Sequence, residues 1–314
     1  MTKEELNQSI NQCIQENCGI EVYFGLKNGE IRKANFFDET QEEMKSMFIQ
    51  KLHSSVIDAD LSLINLSSAD DRTNAIYQYD LDRTEEMRVF DEVADGNSDI
   101  SNFSFDEDGV SEISFFLIVI GSLENRIVIY KQLATVNIYT QRTGFYVWRH
   151  DNMLEKIDND FLRIVPGIDI FQINSELFIL NLDYLERKFN IHAVIETAAR
   201  SQIEIIGNSG LVENSNDLLN DISDVSFARK LSKIAEHSPV LNHIENDRII
   251  TFTHQHPALS NIFQYSEDGS KIKLITKKSK IIFLKLLNDD YLNSDLTNKY
   301  YDSLAKDDIT NNAH

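Results

Sequence analysis

Apolar residues recur at helical spacing from the start of the chain. Leu6, Ile10 and Ile14 follow Thr2 and Glu5, whose three-residue offset fits a capping box, so a helix is expected to about Asn17 with Gly19 ending it. The segment IEVYFGLKNGEIRKANFF then reads as two strands around Asn28-Gly29, a dipeptide suited to a tight hairpin turn that needs positive φ. A second helix is expected over Asp38 to Leu52, followed by strands in LSLINL and AIYQYDL. SEISFFLIVIG, NRIVIYKQL, GFYVWRH, DFLRIVPGIDIFQIN and ELFILNL are apolar, β-branched and aromatic runs of strand length, and read as consecutive strands of a sheet.

The period changes near residue 181. DYLERKFNIHAVIETAAR sets Leu185 and Phe189 four apart, and SFARKLSKIAEHSP sets Phe227, Leu231 and Ile234 on one helical face, with Ser226 as the expected cap and Pro239 as the stop. The expected fold class is α+β: a strand-rich α/β N-terminal domain over 1–181, then a helix-rich C-terminal domain over 182–314. Two domains also suit the 314-residue length, because single cores tend to split at about 250–300 residues.

Composition narrows the function. A 42% hydrophobic content supports a folded chain, while the net charge of −21 disfavours attraction to a phosphate backbone for the molecule as a whole. Nucleic-acid contact must therefore be local. Residues 80–109 form an acidic segment whose spacing fails the calcium-loop pattern, leaving a solvated surface, a cation site or a docking surface for a basic partner. Cys13 and Cys18 are the only cysteines and cannot make a disulfide framework. The start lacks a leader pattern and no apolar run reaches about 18 residues, so a cytoplasmic location is expected.

Catalytic patterns are weak. His254 and His256 would share a face only on a strand and have no partner ligands at metal spacing, so no metal or other cofactor is implied. Asp169 with Glu186 and Lys188 superficially suggests a metal-dependent nuclease, but a helix would turn Glu186 and Lys188 apart. No phosphate loop, nucleophile elbow or zinc-protease motif is written in the chain. Asp289, Asp290 and Asp295 read as turn residues between a helix ending near Leu287 and another holding Tyr300, Tyr301 and Leu304.

One stretch departs from the acidic background. KIKLITKKSKIIFLK carries Lys271, Lys273, Lys277, Lys278, Lys280 and Lys285 and no acid. Strand alternation sets Lys271 and Lys273 opposite Ile272 and Leu274, and Ser279 is a candidate cap for a helix that turns Ile282, Phe283 and Leu286 inward. Lysines gathered at a helix start make an anion site, since unpaired amides and the helix dipole favour phosphate there. A second set, Arg229, Lys230 and Lys233, lies away from the Phe227, Leu231 and Ile234 face. Solubilising charge is the alternative for both sets. Because Lys277, Lys278 and Lys280 alternate with or flank the apolar positions, replacing all three by Glu is expected to leave folding intact.

FLKLLNDDYLNSDLTNKYYDSLAKDDI, INSELFILNLDYLERKFNIHAVIE and SFARKLSKI resemble the B-protein family of the Kiwa anti-phage defence system, across about residues 112–306. The resemblance implies a bacterial cytosolic DNA-binding protein that works with a small multi-pass membrane partner, the Kiwa A protein, peripheral to the inner membrane and without catalysis. It also implies self-association as a homodimer. The competing expectation is an interaction module that docks on a membrane protein without binding DNA, and a metal-dependent nuclease is a third.

Overall fold

The computed structural model describes residues 1–15, 18–67, 74–96, 99–122, 124–139, 146–157, 159–294, 297 and 299–302. The chain is α+β and forms two compact units. The first comprises 1–63, 76–78 and 85–189, and the second 64–75, 79–84 and 190–314.

The first unit begins with helix α1 (Lys3–Cys13), where the Thr2 hydroxyl accepts from the Glu5 amide and Glu5 returns a bond to the Thr2 amide. Strands β1 (Gly19–Leu26) and β2 (Ile31–Ala34) then form the hairpin, with Gly29 at φ 90° as the turn requires. Helix α2 (Asp38–Leu52) follows, then β3 (Ser62–Asn65) and β4 (Ala75–Gln78), of which residues 64, 65 and 75 count with the second unit, the short α3 (Arg88–Ala94), β5 (Ile113–Gly121) and β6 (Arg126–Gln132). Two small antiparallel pairs, Ile138–Tyr139 with Phe161–Leu162 and Val147–His150 with Met153–Lys156, stand outside the main sheet, which corrects the expectation that GFYVWRH and the start of DFLRIVPGIDIFQIN continue it. A hairpin of Ile170–Ile173 with Glu176–Ile179 and helix α4 (Leu182–Lys188) follow.

Eight strands make one sheet, ordered β2, β1, β5, β6, Ile170–Ile173, Glu176–Ile179, β4, β3. Alternation explains its two faces. Val22 faces Ile118, which faces Ile129, which faces Phe171, and this row packs with Leu6 and Ile10 of α1 and Phe48 and Leu52 of α2. The opposite row carries Tyr130, whose ring meets Phe90 of α3 at 6.0 Å and Phe189 just beyond α4 at 5.2 Å. Asp169 is buried, takes Lys131 Nζ at 2.9 Å and the Gln132 amide at 3.0 Å, and so ties β6 to the next strand.

The second unit is built on α5 (Ile191–Asn208), which buries Ile191, Ile195, Ala199, Ile203 and Ile206 along one stripe. Around it lie α6 (Val225–Leu231), α7 (Ile234–His237), α8 (Asn246–Gln255) and α9 (Lys277–Leu287). The sequence predicts one helix across residues 226–238, and the structure has two. The side-chain Oε1 of buried Gln202 accepts from the Ala235 and Glu236 amides, which caps α7 separately, while the Ser232 hydroxyl donates back to the Arg229 backbone carbonyl and closes α6. Asp224, not Ser226, caps α6.

The expected helix through Tyr300 and Tyr301 is also absent: Lys299–Asp302 pairs antiparallel with Tyr291–Ser294, setting Tyr301 opposite Leu292. Aromatic residues there favour an extended pair over a helix. Asp289 adopts φ 57° at the turn before it, whereas Leu304 and Asp295 lie outside the described residues. No described helix is long and apolar enough to cross a membrane.

Candidate nucleic-acid interface

The basic residues singled out in the sequence fall within the second unit, and their surroundings sort them. Thr276 begins α9: its hydroxyl accepts from the Ser279 amide at 3.0 Å, and the Thr276 amide donates to the Ser279 hydroxyl at 3.0 Å. The cap is thus three residues earlier than expected, and Ser279 is its reciprocal partner. This places Lys277 and Lys278 in the first turn, both exposed, where amides and dipole favour an anion.

Ile272 and Lys273 form a short strand, and Lys271 lies just before it. The Ile272 amide donates to the Leu211 carbonyl, and the Glu213 amide to the Ile272 carbonyl, which brings Glu213 to 3.1 Å from Lys273 Nζ. Lys271 stays exposed. Among the described residues, Lys271 and Lys278 have no carboxylate partner.

The remaining cations are more committed. Lys280 is only 4% exposed and its Nζ lies 2.5 Å from Asp221. It belongs to the interior of the unit, which corrects the expectation that it could be reversed without cost to folding. Arg229 is buried at 9% exposure, so it does not lie on a solvent face of α6 as the helical spacing suggested. Lys233 falls in the break between α6 and α7 and reaches Asp80 at 3.7 Å, a carboxylate that also takes the Ser67 amide and hydroxyl.

The two basic sets do meet. One oxygen of Asp224 caps α6 through the Phe227 amide at 3.2 Å, and the other takes Lys277 Nζ at 2.9 Å from the start of α9. This bond draws Asp224 below the ordinary aspartate value and raises Lys277 above the ordinary lysine value. Lys230 and Lys285 line a depression between the same helices, shared with Asp224 and Asp290. Positive charge is therefore interleaved with carboxylates rather than continuous. The arrangement can exchange an exposed partner, such as Asp224 on Lys277, for a phosphate oxygen.

Elsewhere, His254 stacks on Tyr265 at 4.1 Å, and buried His256 accepts from the Ala258 amide through Nδ1 at 3.2 Å. Among the described residues no group of three His, Cys, Asp or Glu side chains is placed to share a metal ion. What sequence reading missed is the set of acids that hold the lysines. Asp221 and Asp224 lie more than fifty residues from Lys280 and Lys277, and no local spacing signals such pairs.

Comparison with known proteins adds a separate finding. A family model described as Kiwa protein KwaB-like matches residues 110–297. The chain is 31% identical over 311 residues to Kiwa protein KwaB of Escherichia coli O55:H7 (strain RM12579 / EPEC), covering 98% of this chain and 99% of that one. No solved structure matches.

Proposed function

The chain belongs to the Kiwa protein KwaB-like family, which implies a role in anti-phage defence, and from that premise we propose that it is a non-catalytic DNA-binding effector. The observation that carries this reading is the exposure of Lys271, Lys277 and Lys278 around the start of α9, in a chain of net charge −21. These three contact phosphates directly. Lys230 and Lys285 extend the contact along the α6–α9 depression, Lys280 and Arg229 support the surface from within, and the half-buried Lys273 and Lys233 are held by Glu213 and Asp80. Contact with phosphates positions a protein on DNA without reading bases, so unrelated sequences bind alike. The acidic remainder limits the encounter to this patch.

A gel shift with two unrelated duplexes, with and without magnesium, tests the reading. Equal retardation of both, with the DNA intact, is the expected result. Absence of retardation at low salt contradicts DNA binding, and magnesium-dependent cleavage contradicts the non-catalytic assignment.

The effector acts at the inner membrane through a multi-pass partner of the Kiwa A type and as a homodimer. The exposed apolar side chains Val147, Met153 and Leu154 and the lack of a membrane-crossing helix among the described residues support this part. Expressed alone, the chain is expected in the soluble fraction with the mass of two copies; with the partner co-expressed, it moves to membranes. A monomer mass at micromolar concentration, or membrane recovery without the partner, contradicts it.

A further inference from the structure

The first unit carries an aromatic depression that DNA binding does not use, walled by Phe24, Phe36, Phe103, Phe105 and Phe161. Its rings form an edge-on chain: Phe36 to Phe24 at 6.4 Å, Phe24 to Phe103 at 5.2 Å, Phe103 to Phe105 at 5.2 Å. The chain runs from the core, where Phe24 is 4% exposed, out to Phe105 at 74%.

Backbone bonds hold that outward position. The Lys33 amide donates to the Ser101 carbonyl at 2.9 Å and the Phe103 amide to the Lys33 carbonyl at 2.8 Å, so residues 101–103 lie along the outer side of the edge strand β2. The Ser104 amide donates to the Asp108 carboxylate at 2.9 Å and closes the turn that carries Phe105. Phe37, adjoining the wall residue Phe36 in the chain, is 88% exposed.

The rim is acidic. Residues 99–112 hold five carboxylates and no base. Asp108 is engaged by Arg32 at 3.3 Å and Glu112 by Lys27 at 3.7 Å, and Lys33 is engaged by Glu21 at 2.5 Å. Asp106 and Glu107 are exposed and, among the described residues, have no cation partner.

We propose that this depression docks a Lys/Arg-rich protein segment, which inserts one large apolar side chain beside Phe103 and Phe105 and sets its cations against Asp106 and Glu107. Charge complementarity selects this occupant. The rim repels phosphate-bearing ligands, and a wholly apolar partner would strip water from Asp106 and Glu107 without replacing it by a cation. The rings also favour cations at their faces. This site is independent of the DNA reading, because all its residues belong to the first unit.

Fluorescence anisotropy on the full chain tests it with three labelled peptides: a Lys/Arg-rich one with a central Trp, the same peptide with Ser for Trp, and the Trp peptide with Glu for every Lys and Arg. The first is expected to bind, the second at least tenfold more weakly and the third not at all. Phe105→Ser is expected to weaken the first peptide at least tenfold, and Asp106→Lys with Glu107→Lys to weaken it and flatten its salt dependence. All these side chains are exposed, so both variants are expected to keep the parent's melting temperature and duplex retention. Equal binding of the Trp and Ser peptides would overturn the proposal by reducing the contact to diffuse attraction. Unchanged binding by a folded Phe105→Ser variant would overturn it as well.

Discussion

Replacing Lys271, Lys277 and Lys278 together by Glu is expected to abolish duplex binding at about 0.15 M salt while the protein stays folded. Each of these side chains is exposed, and none contributes to the interior of the second unit. Charge reversal at three positions in a chain of net charge −21 leaves no nearby excess of positive charge to compensate. The expected loss exceeds about a hundredfold, because three favourable phosphate contacts become three repulsive ones. Asp224→Asn should act in the opposite direction: an amide oxygen can still cap α6, but Lys277 loses its competing carboxylate and duplex affinity rises. Gel shifts of both variants, with circular dichroism to verify folding, provide the check. A folded triple-Glu protein that binds like the parent returns these lysines to a solubilising role.

Lys280→Glu is expected to damage the fold itself. The substitution sets a second carboxylate against Asp221 where a buried ion pair now stands, with side-chain exposures of 5% and 18%. Removing one partner of a buried pair leaves an uncompensated charge and costs about 3–5 kcal/mol, and the partial exposure of Asp221 argues for the lower end. About 3 kcal/mol corresponds to a fall of roughly 6–12 °C in the melting temperature of the second unit. Lys280→Met with Asp221→Leu should recover most of that loss, since an apolar pair of similar volume replaces the ions without stranding one. Thermal melts of the single and double variants test this, and a Lys280→Glu melt equal to the parent's would show that the pair carries no stability. Because Lys280 acts through folding, it cannot serve as a probe of DNA contact.

Local chemistry was legible in the sequence. Helix α2, the Asn28-Gly29 hairpin and the Thr2–Glu5 box follow from short-range spacing, which the backbone obeys without help from distant residues. The family resemblance was legible too, and the family model matches residues 110–297. The break between α6 and α7 was not, because it depends on Gln202, more than thirty residues away, taking the first amides of α7. Nor was the sorting of the lysines. Lys277, Lys278 and Lys280 are near-identical in sequence context, yet long-range packing leaves Lys278 exposed, pairs Lys277 at the surface and buries Lys280 against Asp221. Spacing showed where the positive charge is concentrated but not which charges remain available.

Availability is what a salt series measures. The dependence of the logarithm of duplex affinity on the logarithm of salt concentration, for the parent and for Lys271→Ala, Lys277→Ala and Lys278→Ala combined, counts phosphate contacts directly. Contact by these three lysines predicts salt-sensitive binding by the parent, with the slope in the variant reduced by about 0.9 per lost contact and affinity lowered alike for unrelated sequences. A variant with the parent's slope and affinity, or a parent that binds no duplex at low salt, would contradict it.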